Sequence, residues 1–175
     1  VFDAGTVTST IDPGTSLPGS DVFIASYTSN GTAEWLKQGI AERDDQATDV
    51  AVDATGNTYA YGLYSETISF GTPHPNVALN QLYLVKFDAA GSELWFRRIG
   101  GAALQQPVDM QLGDAGGLFL CGDVQGTLNF FDSSPNTVPS AQPNAYFLLR
   151  VDDAGEFTSG IAIGSVNVAH AGGLD

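Results

Sequence analysis

The sequence has few cysteines and few basic residues. Cys121 is the only cysteine among 175 residues, so an internal disulfide is impossible. Six lysines and arginines stand against 20 aspartates and glutamates, which gives a formal net charge of −14 at pH 7. Nucleic-acid backbones and anionic lipid both require a surplus of basic side chains. We therefore expect no nucleic-acid partner, whereas solubility, a cation or a basic partner would suit this charge.

Long apolar runs and helical periodicity are also missing. No run approaches the ~18 residues of a membrane span, so no direct membrane insertion is predicted. Hydrophobic residues still make up 43% of the chain, which is enough for a core. Glycine is frequent, with 21 residues, and Thr, Val, Tyr and Phe recur in short runs. This profile predicts an all-β fold with many turns.

The chain repeats itself. Residues 21–31 align with 81–91 and again with 145–155, and each segment ends in glycine. Trp35 and Trp95 follow the first two glycines at the same distance, whereas the third copy has no Trp there. Such a pattern is typical of a repeat architecture.

The other half of the unit also recurs, as residues 49–62 and 109–122. We therefore predict a single repeat region over 1–175. Its units are approximately 1–20 (partial), 21–80, 81–144 and 145–175 (partial).

Each complete unit predicts four short strands. The segment around Pro73 and Pro75 is too rich in proline for a central strand. Turns such as Asp53 to Asn57 separate the strands, with glycine supplying a positive φ and aspartate capping its own backbone. The predicted strands are 49–53, 58–64, 82–87 and 93–99. Four-stranded antiparallel sheets repeated in this way indicate β-propeller blades. About three blades cannot close a ring, so the region is expected to be part of a larger ring or assembly.

The residues resemble a known repeat family. Phe23, Asn30-Gly31 and Trp35, followed by the pattern of residues 49–62, are similar to the SBBP family of bacterial β-propeller repeats. Parts of the chain also resemble NHL and quinoprotein blades. The resemblance implies a propeller in a bacterial protein that is extracellular, at the cell surface or periplasmic. The family shares no catalytic residues, so the resemblance implies no enzyme activity.

Acidic residues provide one weak candidate for a metal site. Asp44, Asp45 and Asp49 cluster with Glu42, and Ca²⁺ binds six to eight oxygens from such loops. The alternative is a solvated acidic turn, which the matching stretch of the next unit favours because it keeps one carboxylate. The aspartates Asp53, Asp88 and Asp152 are expected to cap turns.

No catalytic or cofactor-binding residues are predicted. His74 and His170 have no second His or Cys at ligand spacing, so a zinc site is not expected. Nothing matches a nucleophile elbow, a phosphate loop or a dinucleotide fingerprint. Cys121, in an apolar run, is expected to be a buried small hydrophobe. Trp35 and Trp95 are expected to pack between units, although a sugar-stacking platform is the alternative.

The sequence thus predicts a non-enzymatic extracellular or surface β-propeller scaffold or binding module. Its expected partner is a protein or a glycan, and further chain or other subunits would complete the ring. One alternative is part of a carbohydrate-active or quinone-type enzyme whose site lies outside this chain. Another is an accessory subunit of a membrane-associated complex.

Overall fold

The computed structural model describes residues 6–11, 19–41, 43–76, 80–101, 104–113, 116–132, 136–139 and 144–165. These residues form strands and turns, and none of them is helical. The described part of the chain accordingly holds no helix of the length and apolarity that crossing a membrane requires. The strands are β1 (Val22–Tyr27), β2 (Ala33–Ala41), β3 (Gln46–Val52), β4 (Thr58–Tyr64), β5 (Thr67–Ser69), β6 (Pro73–Pro75), β7 (Gln81–Phe87), β8 (Glu93–Gly100), β9 (Gln105–Leu112), β10 (Leu118–Val124), β11 (Leu128–Phe130), β12 (Asn136–Val138), β13 (Asn144–Val151) and β14 (Phe157–Ser165).

The strands form three antiparallel sheets. Sheet 1 has the order β1-β2-β5-β6, and sheet 3 has the order β9-β10-β13-β14. Sheet 2 has the order β3-β4-β7-β8 and continues into β11 and β12. The hairpins β5–β6 and β11–β12 therefore extend the preceding sheet, through β2 and β8. No sheet closes on itself among the described residues.

The predicted all-β fold is confirmed, and the four predicted strands are those of sheet 2. The observed strands β3, β4, β7 and β8 match them to within a few residues at each end. Sheets 2 and 3 each span a predicted unit boundary. Sheet 2 joins strands on both sides of the boundary at residue 80, and sheet 3 joins strands on both sides of the boundary at residue 144. Pro73 and Pro75 lie in β6, an edge strand, where a missing N–H is tolerated.

Five turns share one geometry. In each, the amide of a glycine donates to the carbonyl three residues earlier, and the glycine has a φ between 80° and 85°. The prediction that aspartates cap these turns is confirmed, because Oδ1 of Asp53, Asp88 and Asp152 accepts backbone N–H groups of its own turn. Gly113 stands in place of the aspartate in a fourth copy, where the same two backbone hydrogen bonds join Gly113 to Gly116 and Gly117.

Two hydrophobic clusters hold the sheets together, and sheet 2 contributes to both. Alternate residues of β7 face opposite sides, as in any strand. Tyr83, Val85 and Phe87 join the cluster shared with sheet 1, whereas Leu82 and Leu84 join the cluster shared with sheet 3. All seven residues of β7 are buried as a result. Sheet 2 is thus the middle layer of the stack.

Candidate functional site

The first junction between sheets is built on Trp35. This residue lies on β2 of sheet 1, and its indole Nε1 donates to the carbonyl of Ala89 at 3.1 Å. Ala89 belongs to the β7–β8 turn of sheet 2. A Cβ on Gly91 of that turn would lie 2.8 Å from the indole ring, so only glycine lets the ring approach this closely. Trp35 therefore holds the turn of the next sheet.

The second junction repeats this contact. Trp95 on β8 of sheet 2 donates through Nε1 to the carbonyl of Asp153 at 3.2 Å, and a Cβ on Gly155 would lie 3.0 Å from its ring. Arg97 adds hydrogen bonds to the carbonyls of Gly155 and Ala154 in the same turn, at 2.9 and 2.8 Å. We call this arrangement, a Trp seated on the glycine-containing turn of the next sheet, the Trp–turn contact.

The prediction that Trp35 and Trp95 pack between units is confirmed. Trp35 is only 8% exposed, which leaves it little surface for stacking on a sugar. The sequence did not reveal which turn each Trp contacts. In sheet 2, Trp95 is paired with Lys86. At the same position in sheet 3, Arg150 is paired with Ser159. The described residues therefore contain no third Trp–turn contact.

A polar cluster reinforces the second junction. Lys86 is buried, and its ammonium Nζ lies 2.5 Å from Oδ1 of Asp153 and 4.9 Å from the ring centroid of Tyr59. The Tyr59 hydroxyl donates to the same carboxylate at 2.7 Å. Burial, with the carboxylates of Asp153 and Asp53, raises the pKa of Tyr59 well above its usual range. A phenol that resists ionisation cannot act as a base near neutral pH, so this cluster is suited to a structural role.

The predicted calcium residues point to separate partners. Oδ1 of Asp44 accepts the amide of Ser20, and Oδ1 of Asp45 accepts the amide of Ser65. Asp49 instead accepts the amide of Met110 in sheet 3. Glu42 lies outside the described residues. Where the structure describes the chain, no three acidic, His or Cys side chains form a group that could hold a metal ion. The calcium site stays a prediction without geometric support.

Asp45 is an unusual carboxyl. It is 3% exposed, and its Oδ2 has no hydrogen-bond partner. Desolvation is the main cause that raises its pKa to about 7, and the carboxylates of Asp21 and Asp44 raise it further. The hydrogen bond from Ser65 acts in the opposite direction. The ionised form of Asp45 is thus disfavoured in the folded chain.

Asp45→Asn is expected to change how stability depends on pH. Between pH about 4 and about 7 the unfolded chain releases this proton while the folded chain retains it, so ionisation favours unfolding as pH rises. The variant lacks this effect. The free energy of unfolding of the variant, relative to that of the wild type, should therefore rise by roughly 2–4 kcal/mol over this pH interval. Urea titrations at several pH values measure it. A difference in unfolding free energy between variant and wild type that is the same at pH 4 and pH 8 would contradict the raised pKa of Asp45.

Asp49 and Asp109 form an acid pair across sheets 2 and 3. They lie at the same repeat position on β3 and β9. The pKa of Asp49 is raised mainly by desolvation and, to a smaller extent, by a hydrogen bond with Asp109. Glycoside hydrolysis needs carboxyl groups roughly 5 Å or more apart. These two carboxyls are in direct contact, and Asp49 also accepts backbone amides of Val50 and Met110. The pair therefore links strands instead of flanking a substrate bond.

His74 joins sheets 1 and 2. Its Nε2 lies 2.8 Å from Oε1 of Glu93, and its ring stacks on Phe96 at a centroid distance of 3.9 Å. Both partners lie on β8, whereas His74 lies on β6. This contact accounts for the side chain without a metal. His170 is outside the described residues.

Cys121 is buried in sheet 3, as predicted. Burial is also the main cause that raises the pKa of its thiol. We expect Ellman's reagent to modify Cys121 at least about tenfold more slowly in the folded chain than in urea, because the thiolate is both scarce and covered. Equal rates in the two conditions would show that sheet 3 opens readily.

An open cavity of about 310 Å³ lies where sheets 2 and 3 meet at one end of their strands. Leu63, Leu104 and Val124 give it apolar walls, and Gln105 and Asp123 supply polar groups. Its volume is at the lower limit for small-molecule sites.

No known family matches this chain, and no curated protein matches it either. The resemblance to SBBP-type repeats therefore stays a prediction.

Proposed function

We propose that this chain is part of a non-enzymatic β-propeller scaffold or binding module, of the SBBP type, that works outside the cell or at its surface. The observation that carries the proposal is the Trp–turn contact, which occurs at both junctions. The same Trp–turn contact relates each sheet to the next, as the blades of a propeller are related. Further sheets added by the same rule would form a regular assembly.

The polar groups of the turns and of the junctions between sheets support a scaffold. The turn aspartates cap backbone amides, Asp49 and Asp109 link strands, and Lys86 ties two sheets together. Each of these groups has a structural partner that explains it. The net charge of −14 favours a basic protein surface as the partner, with loops at the sheet ends as the contact region.

Rigidity is the property that tests the scaffold. If the Trp–turn contacts couple the three sheets, urea should unfold them in one transition. Tryptophan fluorescence reports on the junctions at Trp35 and Trp95, and Ellman modification of Cys121 reports on sheet 3. We expect the two midpoints to coincide. Exposure of Cys121 at a clearly lower urea concentration than the fluorescence change would mean independent sheets and would contradict a rigid scaffold.

A further inference from the structure

Within the ranges that the structure describes, strand β1 lacks a neighbour that its counterparts have. Strands β7 and β13 hold the same repeat position in sheets 2 and 3, and each is paired on both sides. Among the described residues β1 pairs with β2 alone. One edge of β1 therefore presents backbone donors and acceptors that no described strand takes up. Such an edge can accept another strand.

A groove runs beside this edge, between sheets 1 and 2. Its volume is about 290 Å³, and its lining includes Phe23, Ala25, Ala47 and Ala60. Phe23 is 55% exposed. Its counterpart Tyr83, on the fully paired strand β7, is completely buried. The exposed aromatic ring thus marks the place of a missing neighbour.

Two valines of strand β3 are also left uncovered by the described residues. Val50 and Val52 are 56% and 59% exposed. The residue on β9 at the same repeat position as Val50 is Met110, and it is buried. Met110 is covered because β9 packs on the β3–β4 hairpin, the first hairpin of sheet 2. The described residues supply no such hairpin to sheet 1. One absent β-hairpin explains the open edge, the groove and the exposed valines together.

The repeat also defines the residue that must lie opposite Phe23. Tyr83 is paired with Gly62 and Phe147 with Gly122. A Cβ on either glycine would come within 2.7 Å of the aromatic ring. A strand that pairs with β1 in this register therefore needs glycine opposite Phe23.

We propose that the edge of β1 and the adjoining groove bind a β-hairpin of the same repeat type as β3–β4, one that the described residues do not supply. The second strand of that hairpin pairs antiparallel with β1 and places glycine opposite Phe23, and its first strand covers Val50 and Val52. The inference deepens the proposed scaffold function by giving it a partner class. It rests on the repeated sheets and does not require that they close a ring.

The test uses a synthetic peptide of residues 46–64, the β3–β4 hairpin of this chain, added to the full chain. We expect saturable binding by calorimetry and slower amide exchange at residues 22–27 and 50–52. Phe23→Asp should weaken binding at least about tenfold, because it removes the ring from the groove. Ile163→Asp is the matched control, since Ile163 is 54% exposed on β14, and it should leave binding unchanged.

A second variant carries Gly62→Val in the peptide, so that the full chain stays unchanged. This peptide should also bind at least about tenfold more weakly than the peptide with glycine. The proposal is overturned if the peptide does not bind, if Phe23→Asp binds it as well as the wild type, or if the added protection falls on another edge such as β14. Protection, before any peptide is added, of the amides of residues 22–27 that point away from β2 would overturn it too, because the open edge would then be covered already. These failures are separable from failure of the scaffold, which coincident unfolding tests without peptide.

Discussion

Gly62→Ala is expected to destabilise the chain severely. An alanine Cβ at this position would lie 2.0 Å from the carbonyl oxygen of Gln46 and 2.7 Å from the hydroxyl of Tyr83. The backbone oxygen cannot move aside, because β3 is paired with β4 on both sides of a register shift between Ala47 and Asp49. Overpacking in a core costs roughly 1–3 kcal/mol when side chains can adjust. We expect at least about 3 kcal/mol here, since the obstacle is backbone.

Gly126→Ala is the control for this prediction. Gly126 has a φ of 81°, yet a Cβ there would meet nothing within 4 Å. That variant pays the conformational cost alone, about 1–2 kcal/mol. Urea denaturation of both variants separates the steric cost from the conformational one. If Gly62→Ala loses no more stability than Gly126→Ala, the close approach at Gly62 does not limit the side chain at this position.

Trp35→Ala is expected to cost about 3–5 kcal/mol of folding free energy, in the range for large aromatic side chains removed from a core. The change removes a nearly buried indole, its hydrogen bond to Ala89 and its packing on Gly91. Trp35→Phe keeps an aromatic ring and loses the hydrogen bond, so it should cost less, with about 1 kcal/mol from the bond itself.

Leu94→Ala serves as the control for the tryptophan variants. Leu94 is a large apolar residue on β8 that is 52% exposed, and its truncation should change stability by no more than about 0.5 kcal/mol. Equal losses for Trp35→Ala and Leu94→Ala would mean that the Trp–turn contact does not hold the sheets together.

The strands of sheet 2 and the turns were predictable because their signals are local. Alternating apolar residues and an Asp-x-x-Gly turn reveal a hairpin within a few residues. The sequence predicted that both tryptophans pack between units, but it did not predict which turn each of them contacts. The turn that Trp35 holds is 54 residues away, and its identity depends on how two sheets stack. The glycines at 91 and 155 were visible only as turn residues, although each also accommodates an indole ring.

Other features carried no repeated signal. Lys86 and Asp153 pair at the second junction, but Ser26 and Ala89 stand at those positions in the first, so comparison of copies conceals the contact. The hairpin β5–β6 was not predicted as part of the preceding sheet, because its strands are three residues long and one contains two prolines. The acidic run at 44–49 suggested a common site, yet its side chains reach three different partners, because strand β3 begins within the run.

The most direct test of the scaffold is electron cryo-microscopy of the native assembly, combined with its mass in solution. We expect a closed ring in which four-stranded sheets follow one another by a constant rotation, with a total mass well above the 18.3 kDa of this chain. A native particle of 18.3 kDa, or sheets that stack without closing around an axis, would contradict it.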